Sequence, residues 1–163
     1  MSTIGAVGRE TPAVPGAPPR LLVIQAPYYE QVVSGMRRGA ERVFAEAGAG
    51  GAEVVDVAGA FELPAALRMA LRSQAGSRFD GYLILGCVVR GETDHYDHIC
   101  RETCRGVMGI AAETGAAIGF GLLTVDTLPQ AVARSGEDRM NKGAEAAQAL
   151  LGQVALRRRW NIA

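Results

Sequence analysis

Few side chains in this sequence suit chemistry, and several of them fall close together. His95 follows Arg90-Gly91-Glu92-Thr93-Asp94, a glycine-containing stretch that reads as the entry to a helix. At a helix start beside a ligand, a histidine is a candidate to give or take a proton. Gly91, Glu92 and Thr93 would present open backbone N–H groups at the same helix start, which suits an anion such as a phosphate. Glu92 and Asp94 would oppose that anion, so a cation is needed, and Arg134 could supply it. Glu62, after Gly59-Ala60-Phe61, suits hydrogen bonds from hydroxyl groups. Tyr28-Tyr29 offers a flat apolar face for a ring. Each residue also has a plainer reading: a surface histidine, an arginine on a solvated face, a first-turn acid, a packed aromatic pair.

A metal is not expected. His95, His98, Cys100 and Cys104 invite a zinc reading. At about 100° per residue, however, the two histidines and the two cysteines point to opposite sides of one helix, so they share no tetrahedral site. Nucleotide fingerprints fail as well. No G-x-x-x-x-G-K-[ST] is present, and Gly48-Ala49-Gly50 follows a helix rather than the first strand.

The elements that must position these residues follow from apolar patterning. Residues 1–19 hold Pro12, Pro15, Pro18 and Pro19 among small residues and are expected to form a mobile tail ahead of one domain over 20–163. Leu21-Leu22-Val23-Ile24, stopped by Pro27, predicts a strand covered on both faces. Val32, Val33, Met36, Ala40, Val43, Phe44 and Ala47 recur at helical spacing with charged residues between them, and Gly48 ends that helix. Further strands are predicted over 53–57, 82–89 and 116–124, and helices from Pro64 to about Gln74, from the 90–94 stretch to about Glu113, over 130–134, and from Arg139 to about Arg158.

Strands alternating with helices give a four-stranded parallel sheet with helices on both sides, a three-layer α/β/α sandwich of α/β class. Ligands in such sheets sit beyond the carboxyl ends of the strands, so the loops at 25–29, 58–62, 86–95 and 120–128 are expected at one rim.

Composition narrows the partners. Among 163 residues, Lys plus Arg and Asp plus Glu number 17 each, which removes the footprint of a nucleic-acid binder. No uninterrupted run of 18 apolar residues and no basic leader followed by an apolar stretch occur, so neither a membrane partner nor secretion is expected. Cys87, Cys100 and Cys104 are an odd number without paired spacing, as suits free thiols in the cytoplasm.

Three blocks carry a family resemblance over about residues 20–155. They are Val57-Ala58-Gly59-Ala60-Phe61-Glu62-Leu63-Pro64, Gly86-Cys87-Val88-Val89-Arg90-Gly91-Glu92-Thr93-Asp94-His95-Tyr96-Asp97 and Asn141-Lys142-Gly143. In order and spacing they resemble the signature blocks of the 6,7-dimethyl-8-ribityllumazine synthase family. The resemblance implies a flavodoxin-like fold and a transferase of riboflavin biosynthesis. Its small-molecule substrates would be 5-amino-6-(D-ribitylamino)uracil and 3,4-dihydroxy-2-butanone 4-phosphate, with neither metal nor organic cofactor.

By position, Tyr28 resembles the aromatic that stacks on the pyrimidine, and Ala60, Phe61 and Glu62 the segment that holds the ribityl chain. Cys87, Val88 and Val89 match the strand end at the pyrimidine edge. Gly91, Glu92 and Thr93 match the phosphate cradle, His95 the proton-transfer residue and Arg134 the phosphate-binding arginine. Phe120 and Lys142 match further wall and pyrimidine contacts. The resemblance also implies a homo-oligomer built on pentamers, with sites shared between adjacent subunits. Pro27-Tyr28-Tyr29 stands where Arg-Phe-Asn is common, Ala58 replaces a proline and Cys87 a frequent threonine. A homologue that keeps the pocket with little turnover is the rival reading, and Tyr28-Tyr29 is the feature that favours it.

Overall fold

The computed structural model describes residues 10–74, 78–138 and 140–162. Four strands, β1 (Leu21–Gln25), β2 (Glu53–Asp56), β3 (Gly81–Val89) and β4 (Ile118–Val125), form one sheet in the order β2-β1-β3-β4. All three pairings are parallel, with Val23 opposite Val54 and Leu83, and Ile84 opposite Phe120. Among the described residues five helices connect and cover them: α1 (Glu30–Glu46), α2 (Leu63–Arg72), α3 (His95–Thr114), α4 (Leu128–Val132) and α5 (Lys142–Arg159). This is the three-layer α/β/α arrangement expected from the alternation of elements, with the flavodoxin-like fold that the resemblance implies.

Side chains alternate across the sheet, so each strand feeds two cores. Leu21, Val23, Leu83, Leu85, Leu123 and Val125 pack with α1 and α5 on one face. Leu22, Ile24, Tyr82, Ile84, Ile118 and Leu122 pack with α2 and α3 on the other. Burying each of the larger side chains is worth roughly 1.5–3 kcal/mol before chain entropy is charged against it. The small residues of the sequence serve close approach. A Cβ on Gly119 would overlap the backbone carbonyl of Ala146, which lets α5 lie directly on β4.

Several boundaries differ from the sequence reading for local reasons. Thr127 and Gln130 form a reciprocal capping box, so α4 begins at Leu128 rather than at Gln130. Asn141 caps α5 through Ala144 N, so that helix begins at Lys142; Arg139 lies outside the described residues. β3 runs unbroken through Gly86 and Cys87, and β4 starts two residues later and ends one residue later than predicted. β2 departs from the expectation of strands covered on both faces, because it is an edge strand paired only with β1 and is exposed along its whole length.

The proline-rich segment makes tertiary contacts over its described part. Residues 1–9 lie outside the described residues, but 10–19 lie against the body. Val14 packs on the α1/α5 core, Thr11 Oγ1 donates to Glu46 Oε2 at 2.7 Å, and Arg158 Nη1 donates to the carbonyls of Pro15 and Ala17 at 2.6 Å each. Composition counts apolar area and does not register carbonyls that one guanidinium can gather.

Candidate active site

The carboxyl ends of β1 and β3 are neighbours, yet the chain leaves β1 toward one edge of the sheet and β3 toward the other. A crevice opens outside such a switch point. Here it is a cleft of about 470 Å³, a volume suited to a small organic ligand.

The first wall comes from the chain leaving β1. Ala26 N donates to Leu85 O at 2.9 Å, and Pro27, Tyr28 and Tyr29 then turn in a single 3-10 turn into α1. Tyr28 is 77% exposed and forms a T-shaped pair with Tyr29 at 5.2 Å between ring centroids, so most of its ring stays open to a ligand. Burial raises the Tyr29 hydroxyl above its ordinary range, helped by Cys87 and Tyr28, and it remains protonated at neutral pH.

The second wall follows β2. Val57 N donates to Gln25 O at 2.8 Å, which ties this strand end to β1 before the 3-10 turn over Ala60–Glu62. Pro64, in the first turn of α2, starts the helix where no intrahelical N–H is lost. Phe61 is 72% exposed at the cleft, with Glu62 beside it.

The floor is the end of β3. Register with β1 stops at Leu85, whereas register with β4 continues through Val89 opposite Val125. In a parallel ladder successive residues bond to opposite sides, and Tyr82 and Arg90 donate toward the β4 side while Leu85 accepts from the β1 side. Cys87 and Val89 therefore turn backbone polar groups toward the side that β1 has vacated, where a flat heterocycle could pair with them. The Cys87 thiol is pushed up to about 11, first by burial and then by nearby Cys100, and stays protonated.

His95, the first residue of α3, closes the cleft together with Ile99 one turn later. Asp94 holds the N-cap position; its carbonyl accepts from Asp97 N at 3.1 Å, but its side chain caps nothing, which leaves the N–H groups of His95 and Tyr96 uncapped by it.

Eight of the residues singled out in the sequence thus meet around one cleft: Tyr28, Ala60, Phe61, Glu62, Cys87, Val88, Val89 and His95. Gly91, Glu92 and Thr93 sit beside it on the exposed loop into α3 without lining it. Phe120 packs into the α2/α3 core from β4. Arg134 lies after α4, its Nη1 donating to Gln130 O at 2.9 Å, with no carboxylate partner among the described residues. Lys142 is 4% exposed at the start of α5 and pairs with Glu145 at 2.5 Å. Within one chain, these last three do not reach the cleft. Tyr29, named in the sequence only as half of the Tyr28-Tyr29 platform, also lines it, and Ala58, Gly59 and Ile99 line it without having been singled out as site residues. For Ile99 the signal was available, because a residue four after His95 shares its helix face.

A parallel α/β/α sheet with a ring-sized cleft at its switch point defines a small-molecule enzyme of flavodoxin-like fold. Comparison narrows the class. The family model for 6,7-dimethyl-8-ribityllumazine synthase matches residues 18–158. A protein named 6,7-dimethyl-8-ribityllumazine synthase from Methylobacterium radiotolerans is 43% identical over 147 residues, covering 90% of this chain and 86% of its own. A protein of the same name from Paramagnetospirillum magneticum is 39% identical over 143 residues, covering 85% and 95% respectively. The chain belongs to the 6,7-dimethyl-8-ribityllumazine synthase family.

Proposed function

We propose that this chain condenses 5-amino-6-(D-ribitylamino)uracil with 3,4-dihydroxy-2-butanone 4-phosphate to give 6,7-dimethyl-8-ribityllumazine, with release of phosphate and water. The observation that carries the reading is the convergence of Tyr28, Glu62, the open end of β3 and His95 on one cleft. The pyrimidine stacks on Tyr28 and pairs along Cys87, Val88 and Val89. Its ribityl hydroxyls meet Ala60, Phe61 and the Glu62 carboxylate. The phosphate of the second substrate lies against the backbone of Gly91, Glu92 and Thr93 at the α3 N-terminus, whose N–H groups the Asp94 side chain leaves uncapped.

The reaction needs an amine to add to a ketone with loss of water, phosphate to leave, and the ribityl-bearing nitrogen to close the ring with loss of a second water. These steps need proton transfers and orientation but neither an oxidant nor a strong nucleophile. His95, exposed at the cleft, is the proton carrier.

The site is completed by a neighbouring subunit of a pentamer in the cytoplasm. Arg134 has no carboxylate partner among the described residues, as a cation that awaits a phosphate would not. Phe61 is exposed at the cleft, Met69 on α2, Met108 on α3, Leu128 and Val132 on α4, and Val54 and Val55 on the β2 edge. Such a spread of exposed apolar residues suits contact between copies. Phe120, Arg134 and Lys142 then serve the adjacent cleft.

Mixing the purified protein with both substrates tests the reading. Fluorescence of the lumazine product should grow with time. A protein that binds a lumazine analogue but forms no product is instead a ligand-binding homologue.

A further inference from the structure

Arg90 stands between β3 and the loop that enters α3, and it does not line the cleft. Its backbone N–H donates to Val125 O at 2.9 Å, which fixes its main chain to the end of β4. From there the guanidinium makes three contacts. Nη1 and Nη2 donate to the two carboxylate oxygens of Asp97 at 3.2 Å each, Nε donates to Asp126 Oδ1 at 3.0 Å, and the group lies 4.1 Å from the centroid of the Tyr96 ring. Tyr96 and Asp97 are the second and third residues of α3, directly after His95. One side chain therefore pins both ends of the four-residue loop Gly91–Asp94, and through Asp126 it also holds the turn that leads to α4 and Arg134.

Stability is not a sufficient account of this arrangement. The three charged side chains are each more than 40% exposed, and exposed ion pairs contribute little to folding. What the fork and the stacked ring fix is direction. Asp97 also matters by where it is turned. It is the acid in the first turn of α3, but its carboxylate is taken up by Arg90, which keeps that charge from opposing an anion at the helix start.

We propose that Arg90 is a positioning residue of the reaction, setting the α3 entry so that His95 and the backbone of Gly91, Glu92 and Thr93 meet the substrates in register. This rests on the reading of His95 as the proton carrier given above.

Arg90→Lys keeps the charge but loses the fork and the flat stacking face. Together with Asp97→Asn and the double variant, it should be assayed by steady-state kinetics with both substrates, and by amide exchange across residues 91–95. Each single variant should lower kcat by about 10- to 100-fold, the scale of a small misplacement of reacting groups, and leave the KM for the uracil within about twofold. The double variant should lose little more than either single, because both break one contact. Exchange at 91–95 should quicken while the strands keep their protection. Wild-type kcat in Arg90→Lys, or losses that multiply in the double variant, overturns the proposal. His95→Ala assayed alongside separates the two readings: if it keeps wild-type turnover the histidine reading fails, and if it loses turnover while Arg90→Lys does not, the arginine inference fails.

Discussion

Asn141 Nδ2 donates to the carbonyl of Gly35 at 3.0 Å, a buried bond between residues 106 apart in sequence that ties the start of α5 to α1. The same amide nitrogen donates to Gly136 O at 2.7 Å, and Oδ1 accepts from Ala144 N at 2.9 Å. Gly39 and Gly143 leave room for this junction, since a Cβ on Gly39 would overlap Asn141 Oδ1 and one on Gly143 would overlap Met36 O. Asn141→Ala strands these backbone groups and should cost about 2–4 kcal/mol in urea unfolding, from lost bonds and an unsatisfied buried carbonyl. A loss within 0.5 kcal/mol, taking about that as measurement scatter for surface changes, would show the junction to be dispensable.

His95→Ala should lower turnover by about 10- to 1000-fold, the range for losing one general acid or base. The side chain is exposed, so circular dichroism and the unfolding midpoint should not move. Unchanged kcat at saturating substrate assigns the proton transfers elsewhere.

Arg134→Gln removes a charge without moving the chain around it. The KM for the butanone phosphate should rise far more than that for the uracil, because an arginine–phosphate contact is charge-assisted. Equal increases for both substrates would mark the arginine as a structural residue.

The Cys87 thiol, pushed up to about 11 chiefly by burial, should resist a thiol reagent at pH 8, while exposed Cys104 reacts first. Its folded pKa lies above the unfolded value of roughly 8.5, so the associated stability is fully present below about pH 8.5 and is lost as the pH rises toward 11. Unfolding midpoints followed across that window should fall more steeply in the wild type than in Cys87→Ala. Parallel curves would place the pH dependence in other groups.

The strongly apolar runs of β1 and β3 were legible because both faces of each are buried, and a continuous apolar stretch is then the only pattern available. β2 was legible as a strand but not as an edge, since Val54-Val55 reads alike whether a helix covers it or not. The capping box of Thr127 and Gln130 is written in the sequence at its usual spacing, whereas the two carbonyls gathered by Arg158 depend on tertiary geometry. Among the site residues, those on the ends of β1, β2 and β3 converge because the topology brings these ends together. Phe120, Arg134 and Lys142 sit on or beyond β4, and no periodicity in one chain can tell whether they reach the cleft of another copy.

The central claim is that each catalytic site joins the cleft of one chain to Arg134 of its neighbour, and subunit mixing tests it most directly. His95→Ala subunits and Arg134→Gln subunits, dissociated, reassembled together and assayed at a butanone phosphate concentration well below the KM of Arg134→Gln, should turn over faster than either variant alone, because some interfaces then pair an intact His95 with an intact Arg134. If mixed oligomers form, as mass spectrometry can establish, and turn over no faster than either variant alone, both residues act in the same chain's cleft and the shared site is contradicted.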